Sequence, residues 1–258
     1  MRTSFIRTAL AAAALVGVGS AAQAGLLVTL KDNTGSTATS TCDTTAAVSG
    51  TNCSVAGGWT INSLNKATFI GTVGDFVFAE SIFQSNAPGS AGPLGSFGST
   101  SNLNIFTTTA SQQLTVDMIA TGFTIPAGPI KNLSGTSSQS DYANPAAGAD
   151  QSYVFSILND NLSSNFITPG VTLGSVGCGP VPLLLAAGGC AASTIVSGIG
   201  ANFSLRNFAT YNVLAANDTW AGVSSVRVTV PEPASTALVG AALVALAMVS
   251  RRRKSLQA

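Results

Sequence analysis

Residues 223–230 read VSSVRVTV, and this stretch decides the fold class. Val226, Val228 and Val230 alternate with Arg227 and Thr229, which is the period of a β-strand with one buried face. The same alternation recurs in QQLTVDMIA (112–120), SYVFSIL (152–158) and ANFSLRNFATYNVL (201–214). The residues that share a face in these stretches are Leu114, Val116 and Met118; Tyr153, Phe155 and Ile157; Phe203 and Leu205. The pattern predicts an all-β domain, an antiparallel β-sandwich of jelly-roll or immunoglobulin-like type.

Gly- and Pro-rich segments separate the predicted strands, for example NAPGSAGPLGSFGS (86–99) and TIPAGPIKNLSG (124–135). Two segments do not fit the alternation. We interpret 32–58, rich in Thr, Ser and Gly, as an excursion from the sheet. We interpret 181–187 as an apolar surface loop, which either folds back as a cap or meets a partner. No internal repeat divides the chain, so residues 25–229 are predicted to be one domain between the segments 1–24 and 230–258.

The N-terminal segment has the pattern of a secretory signal. Arg2 and Arg7 precede an apolar run from residue 9 to residue 19, and Ala22-Gln23-Ala24 follows. A basic start, a short apolar core and an Ala-x-Ala exit predict an exported protein with cleavage after Ala24. The alternative, an uncleaved membrane anchor, is disfavoured because the apolar run is too short to span a bilayer.

The predicted domain has few charges and no histidine. Between residues 25 and 230 there are five cations and nine acids, so the formal charge is 5 − 9 = −4. It has no basic stripe, which argues against nucleic acid as a partner. The absence of histidine excludes Ser-His-Asp and Cys-His catalysis and removes the commonest zinc ligand.

The four cysteines form two close pairs, Cys42 with Cys53 and Cys178 with Cys190. In an exported protein two local disulfides are expected, and the sequential pairing is preferred because each enclosed loop is short. A thiolate metal site is the disfavoured alternative outside the cytoplasm.

The segment after the last predicted strand has three parts. Pro231, Glu232 and Pro233 come first, and an uncharged apolar run from 234 to 250 follows. The third part is a basic block, formed by Arg251, Arg252, Arg253 and Lys254. Seventeen helical residues span about 25 Å, the lower limit for a transmembrane helix, and the basic block predicts a cytoplasmic end. The prolines keep Glu232 in an exposed, non-helical segment just outside the membrane.

These three parts together closely resemble the PEP-CTERM sorting signal of exported bacterial proteins. The resemblance implies recognition of Pro231, Glu232 and Pro233 by an exosortase, a membrane transpeptidase, after a signal peptidase has acted at the N-terminus. It also implies an inner-membrane precursor whose tail is removed as the protein reaches the cell surface or the extracellular matrix. The alternative is a permanent single-span anchor whose prolines are linker residues.

For the domain itself the sequence favours a non-catalytic surface or matrix protein, associated with exopolysaccharide in a biofilm and needing no cofactor. A surface rich in Ser, Thr and Asn can hydrogen-bond sugars without charge. Aromatic side chains are candidates for stacking on sugar rings, although core packing is the more common role of any single one. They are Trp59, Trp220, Tyr142, Tyr153 and Tyr211. One alternative is a polysaccharide-active enzyme with paired carboxylates, drawn from Asp75, Glu80, Asp141, Asp150 and Asp160. The other is an ice-binding protein, which would need regular rows of small hydroxyl residues.

Overall fold

The computed structural model describes residues 24–34, 38–47, 53, 57–90, 95–143, 150–159, 171–182 and 188–230. These residues form thirteen strands and one short helix. They are β1 (Gly25–Asp32), β2 (Thr39–Asp43), α1 (Thr44–Ala47), β3 (Trp59–Ser63), β4 (Lys66–Val73), β5 (Phe76–Ser85), β6 (Ser96–Thr107), β7 (Gln112–Phe123), β8 (Lys131–Ala143), β9 (Asp150–Asn159), β10 (Thr172–Pro182), β11 (Gly188–Val196), β12 (Phe203–Val213) and β13 (Thr219–Thr229). The predicted signal helix and the predicted membrane helix lie outside these residues. Within them no helix is long and apolar enough to cross a bilayer.

The strands form two antiparallel sheets that pack face to face as a sandwich. Sheet A has the order β10-β9-β12-β7-β1-β2, and sheet B has the order β11-β8-β13-β6-β5-β4-β3. From β6 to β13 every connection crosses from one sheet to the other, except the connection between β9 and β10. This is the strand order of an eight-stranded jelly roll and not that of an immunoglobulin fold. β1 and β2 widen sheet A, while β3, β4 and β5 widen sheet B.

The predicted alternation sets the buried faces of the strands. Val226 and Val228 are fully buried on β13, and the residues predicted to share a face on β7, β9 and β12 are at most 1% exposed. Val230 is different, because β13 ends at Thr229 and the Val230 side chain is 44% exposed. Its prediction as a buried strand residue is therefore wrong.

Gly135 of β8 packs directly against the other sheet. A Cβ atom at Gly135 would lie 1.8 Å from Cδ2 of Phe155, which belongs to β9 in the other sheet. Phe155 is fully buried, and its ring stacks on that of Tyr153 with the centroids 5.9 Å apart. Glycine at position 135 is therefore what lets this aromatic layer fit between the sheets.

A disulfide closes each lateral edge of the sandwich. Cys42 of β2, the edge strand of sheet A, is bonded to Cys53, which precedes β3, the edge strand of sheet B. Cys178 of β10 and Cys190 of β11 join the two edge strands on the other side. This is the sequential pairing, and it leaves no thiolate for a metal. At the first edge Trp59 adds a hydrogen bond, donating from Nε1 to Oγ of Ser40 at 2.8 Å.

The two segments that did not fit the alternation belong partly to the sheets. Residues 39–43, within the predicted excursion, form β2 and pair with β1 along its length. Val181 and Pro182, predicted to be in a surface loop, end strand β10 opposite β9. The remainder of that predicted loop, 183–187, lies outside the described residues.

Candidate functional site

Both termini of the sandwich lie at the same end. Gly25, the first residue of β1, is opposite Thr121 near the end of β7. Thr229, the last residue of β13, is opposite Asn132 near the start of β8. The connection 124–130 joins these ends of β7 and β8. We call this the tail end of the sandwich, and the opposite end, which contains the turn 74–75 and the connections 108–111 and 214–218, the far end.

The C-terminal strand, β13, ends in the middle of the tail end. β13 is paired on both sides, with β6 and with β8, so it is a central strand of sheet B. Gly95 adopts a φ of +57°, and a Cβ there would lie 2.0 Å from the carbonyl oxygen of Val228. One residue, Val230, separates the strand from Pro231. A protease that recognises the Pro-Glu-Pro segment must therefore work directly against the tail end.

Most of the predicted processing residues lie outside the described part of the chain. They are Ala22, Pro231, Glu232, Pro233, Arg251, Arg252, Arg253 and Lys254. Their roles remain predictions.

The predicted cleavage site after Ala24 is packed against the folded domain. Ala24 is partly buried against the core, and a Cβ at Gly25 would lie 2.1 Å from Cγ2 of Thr45. The backbone N–H of Leu26 donates to Oγ1 of Thr44 at 2.8 Å, and that hydroxyl donates to the carbonyl of Leu64 at 2.6 Å. Cleavage at this bond therefore requires that β1 has not yet docked.

Lys131 is a buried cation at the tail end. Its side chain is 1% exposed, and Nζ donates to the carbonyl of Gly128 at 2.5 Å. The same Nζ lies 4.9 Å from the ring centroid of Phe203. Burial lowers the pKa of Lys131, because the protonated form loses hydration. These contacts hold the connection between β7 and β8 against the core.

The outer face of sheet A holds an ion pair set on an aromatic ring. Arg206 of β12 donates from Nε and Nη2 to the two carboxylate oxygens of Asp117 at 2.8 and 2.7 Å. Its guanidinium carbon lies 4.8 Å from the ring centroid of Phe208. The hydrogen bond to Asp117 raises the pKa of Arg206, with burial opposing it. The two side chains are 30% and 21% exposed, so solvent and solutes can reach them.

A hydrogen-bonded chain of amides continues from this pair along the same face. Gln113 donates from Nε2 to Oδ1 of Asn212 at 2.8 Å, and Asn212 donates from Nδ2 to Oδ1 of Asp150 at 2.6 Å. Between the amides and the ion pair, Thr210 lies directly opposite Thr115. We call this set of side chains the sheet A strip; it consists of Gln113, Thr115, Asp117, Asp150, Arg206, Phe208, Thr210 and Asn212.

The aromatic residues predicted to stack on sugars are in the core. Trp59, Trp220, Tyr153 and Tyr211 are each at most 2% exposed. Tyr211 lies between Tyr153 and Trp220, with ring centroids 6.1 and 5.7 Å away. Burial raises the pKa of Tyr153 most, and the charge and hydrogen bond of Tyr211 raise it further, so the Tyr153 hydroxyl stays protonated. Core packing, the more common role, therefore holds for these four residues, which are not available to stack on sugars, and the Tyr142 side chain lies outside the described ones.

The predicted carboxylate pair is not brought together. Asp75 lies in the turn before β5, where its N–H donates to Oδ2 of Asp32 at 3.0 Å. Glu80 lies inside β5, opposite Leu103. Five extended residues place their Cα atoms about 16 Å apart, whereas paired glycosidase carboxylates are about 5–10 Å apart. Of the other predicted acids, Asp150 belongs to the sheet A strip, while the Asp141 side chain and Asp160 lie outside the described part of the chain.

Sequence reasoning missed Asp117 and Arg206 as partners. Each alternates with the buried residues of its strand, so the sequence alone indicates that its side chain faces outward. Their pairing depends on β7 lying next to β12, and 89 residues separate them.

Comparison with protein families gives one match. The family model described as the PEP-CTERM protein-sorting motif matches residues 229–254. The chain therefore has a PEP-CTERM sorting motif. The match begins at the last residue of β13 and includes the Pro-Glu-Pro segment, the apolar run and the basic block. It implies a membrane-processed precursor of an exported protein, sorted by an exosortase.

Comparison with other proteins adds only distant similarities. The search of curated proteins found no match. Among solved structures, the cleaved adhesin domain of Lys-gingipain from Porphyromonas gingivalis is 11% identical, with a TM-score of 0.27 over 60% of this chain and 89% of that one. A structure of carbohydrate-binding modules from the β-sandwich superfamily is 9% identical, with a TM-score of 0.27 over 80% of this chain and 74% of that one. Similarities this low support no functional argument.

Proposed function

We propose that the protein is an exosortase-sorted component of the cell surface or extracellular matrix that binds exopolysaccharide and does no catalysis. The observation on which this rests is the sorting motif, which begins where the jelly roll ends. In the folded precursor the tail would leave from the tail end, where the first residue of β1 also lies. The outer faces of both sheets would therefore remain open to the outside while the chain is still attached to the membrane.

The sheet A strip is the part of the domain that we propose binds sugar. Vicinal hydroxyls of a sugar present paired donors and acceptors, and the strip offers a guanidinium, a carboxylate, amides and hydroxyls side by side. Phe208 is half-buried beside them and supplies an apolar surface for the sugar C–H groups. The polar atoms are held by one another before any ligand arrives, which reduces the entropy lost on binding.

The test is affinity electrophoresis of the native protein through gels that contain the exopolysaccharide of its host. We expect Arg206→Ala to weaken retention by at least about tenfold, because a charge-assisted hydrogen bond contributes about 1.5–3 kcal/mol. Arg206→Lys keeps the charge but loses the two-pronged geometry, so it should weaken retention as well. The matched control is Arg227→Ala, which removes an exposed arginine from the outer face of sheet B.

Two outcomes would count against sugar binding by the strip. One is a wild-type protein whose migration does not change with polysaccharide concentration. The other is an equal loss of retention in Arg206→Ala and Arg227→Ala, which would indicate a general charge effect. Thermal unfolding of each variant shows whether the fold is intact. Neither outcome would affect sorting by the tail, which depends on the motif alone.

A further inference from the structure

The tail end exposes large apolar side chains. Four of the eight exposed large apolar side chains in the described part of the chain lie there: Ile130 is 50% exposed, Val171 68%, Ile195 68% and Val230 44%. Val230 follows β13, Ile130 precedes β8, Ile195 lies in β11 opposite Asn132 of β8, and Val171 precedes β10. All four therefore lie around the point where the chain leaves the sandwich.

Apart from Glu80 and the ion pair of Asp117 with Arg206, which lie along the strands, the described charges lie at one end of the domain or the other. Among the described side chains, those at or near the tail end are the cations Lys66, Lys131 and Arg227 and the buried acid Asp43. Those at the far end are the acids Asp32, Asp75, Asp150 and Asp218 and the cation Lys31. The formal charge is thus 3 − 1 = +2 at the tail end and 1 − 4 = −3 at the far end. This charge distribution favours contact of the tail end with an anionic surface and disfavours contact of the far end with one.

The tail leaves little distance between the domain and the membrane. The apolar run begins at Ala234, four residues after Val230. An extended chain covers at most about 3.3–3.6 Å per residue, so this link spans no more than about 14 Å. The headgroup layer on one side of a bilayer occupies roughly 5–8 Å of that. A precursor whose tail is inserted must therefore hold its tail end close to the headgroups.

We propose that in the membrane-inserted precursor the tail end rests on the bilayer. Ile130 and Ile195 enter the interfacial layer, and Lys66 and Arg227 contact anionic phospholipid headgroups. This proposal rests on the proposed role of the tail as a membrane segment. The contact fixes the orientation of the domain, with the strands pointing away from the membrane and the acidic far end outermost. It also keeps Val230, after which the Pro-Glu-Pro segment begins, next to the membrane.

The test uses the full chain reconstituted in vesicles of phosphatidylethanolamine and phosphatidylglycerol. Ile195→Trp and Ile130→Trp place a fluorophore at the tail end, and Leu214→Trp, at a 40% exposed leucine near the far end, is the matched control. The unsubstituted protein gives the background from the buried Trp59 and Trp220. Phospholipids with brominated acyl chains should quench the tail-end tryptophans at least about twofold more than the control. Vesicles without phosphatidylglycerol should reduce this difference, because they lack the anionic headgroups.

The possible results distinguish failure of the docking proposal from failure of the tail as a membrane segment. If the chain floats with the vesicles but all three tryptophans are quenched equally weakly, the tail is inserted and the docking proposal is wrong. Weak quenching together with a dimer in chemical cross-linking would assign the apolar residues to a second copy instead. If the chain does not float with the vesicles, the membrane role of the tail fails, and the docking proposal fails with it.

Discussion

Replacing Gly135 by alanine should destabilise the protein through a clash between the two sheets. The added Cβ would lie 1.8 Å from Cδ2 of Phe155, whereas ordinary contacts begin at 3.4 Å. The ring would have to move by about 3.4 − 1.8 = 1.6 Å, yet it is fully buried and stacked on Tyr153. Overpacking of this kind costs about 1–3 kcal/mol, and we expect the upper end of that range. For a domain of this size, about 3 kcal/mol corresponds to a Tm lowered by roughly 6–12 °C.

Thermal unfolding followed by circular dichroism measures this effect on the processed protein. The matched control is Gly177→Ala on β10, where the nearest atom to the new Cβ is a carbonyl oxygen at 3.5 Å. That variant should be unchanged or slightly more stable, because alanine costs less chain entropy than glycine. In a Phe155→Leu background the cost of Gly135→Ala should fall by at least about 1.5 kcal/mol. Equal Tm values for Gly135→Ala and Gly177→Ala would refute the packing of the sheets described above.

Three further predictions concern the edges, the buried cation and the outer face of sheet B. Replacing both Cys178 and Cys190 by alanine should lower the free energy of unfolding by about 3 kcal/mol, because the unfolded chain regains the entropy of the open loop. Hydrogen exchange should accelerate mainly in β10 and β11. Acceleration spread evenly over both sheets would contradict the local role of this disulfide. Lys131→Met should leave stability unchanged or raise it, because the buried ammonium group has lost hydration, which also lowers its pKa. Because the pKa of Lys131 is lowered in the folded state, the unfolded chain binds more protons at high pH. The stability of the wild type relative to Lys131→Met, measured by denaturant titration, should therefore rise as the pH approaches the ordinary lysine value of 10.5. A fall in this relative stability would refute the prediction. Thermal hysteresis should be absent, because the exposed Arg227 stands between the hydroxyl side chains of Ser225 and Thr229 on the outer face of β13, and measurable hysteresis would restore the ice-binding alternative.

The fold class and the disulfides could be predicted because they depend on local patterns. Alternation in β7 and β13 shows which side chains are buried without knowledge of the partner strands. Each cysteine pair is close in sequence, with separations of 11 and 12 residues. The ion pair of Asp117 with Arg206 and the fit of Gly135 over Phe155 depend on strand pairing and sheet packing, and no local pattern indicates them. Core packing was the more common role expected of Trp59 and Trp220, but the sequence could not decide it, because an isolated aromatic residue suits both a core and a binding surface.

The position of both termini at one end was equally inaccessible to sequence reasoning. Thirteen strands that alternate in direction would place the termini at opposite ends of the sandwich. In the structure β2 and β3 both run toward the tail end, since Asp43 lies opposite Leu27 and Ser63 lies opposite Lys66. This departure from alternation brings Val230 back to the end at which β1 begins.

The most direct test of the whole account is the intact mass of the protein, recovered from the surface and the medium of its native host with and without the exosortase. We predict a chain that starts at Gly25 and ends between Val230 and Ala234 in the wild-type host, and that this product is lost in the deletion strain. A mass that includes residues 251–258 in both strains would contradict the account. It would mean that the tail is a permanent anchor and not a removable sorting signal.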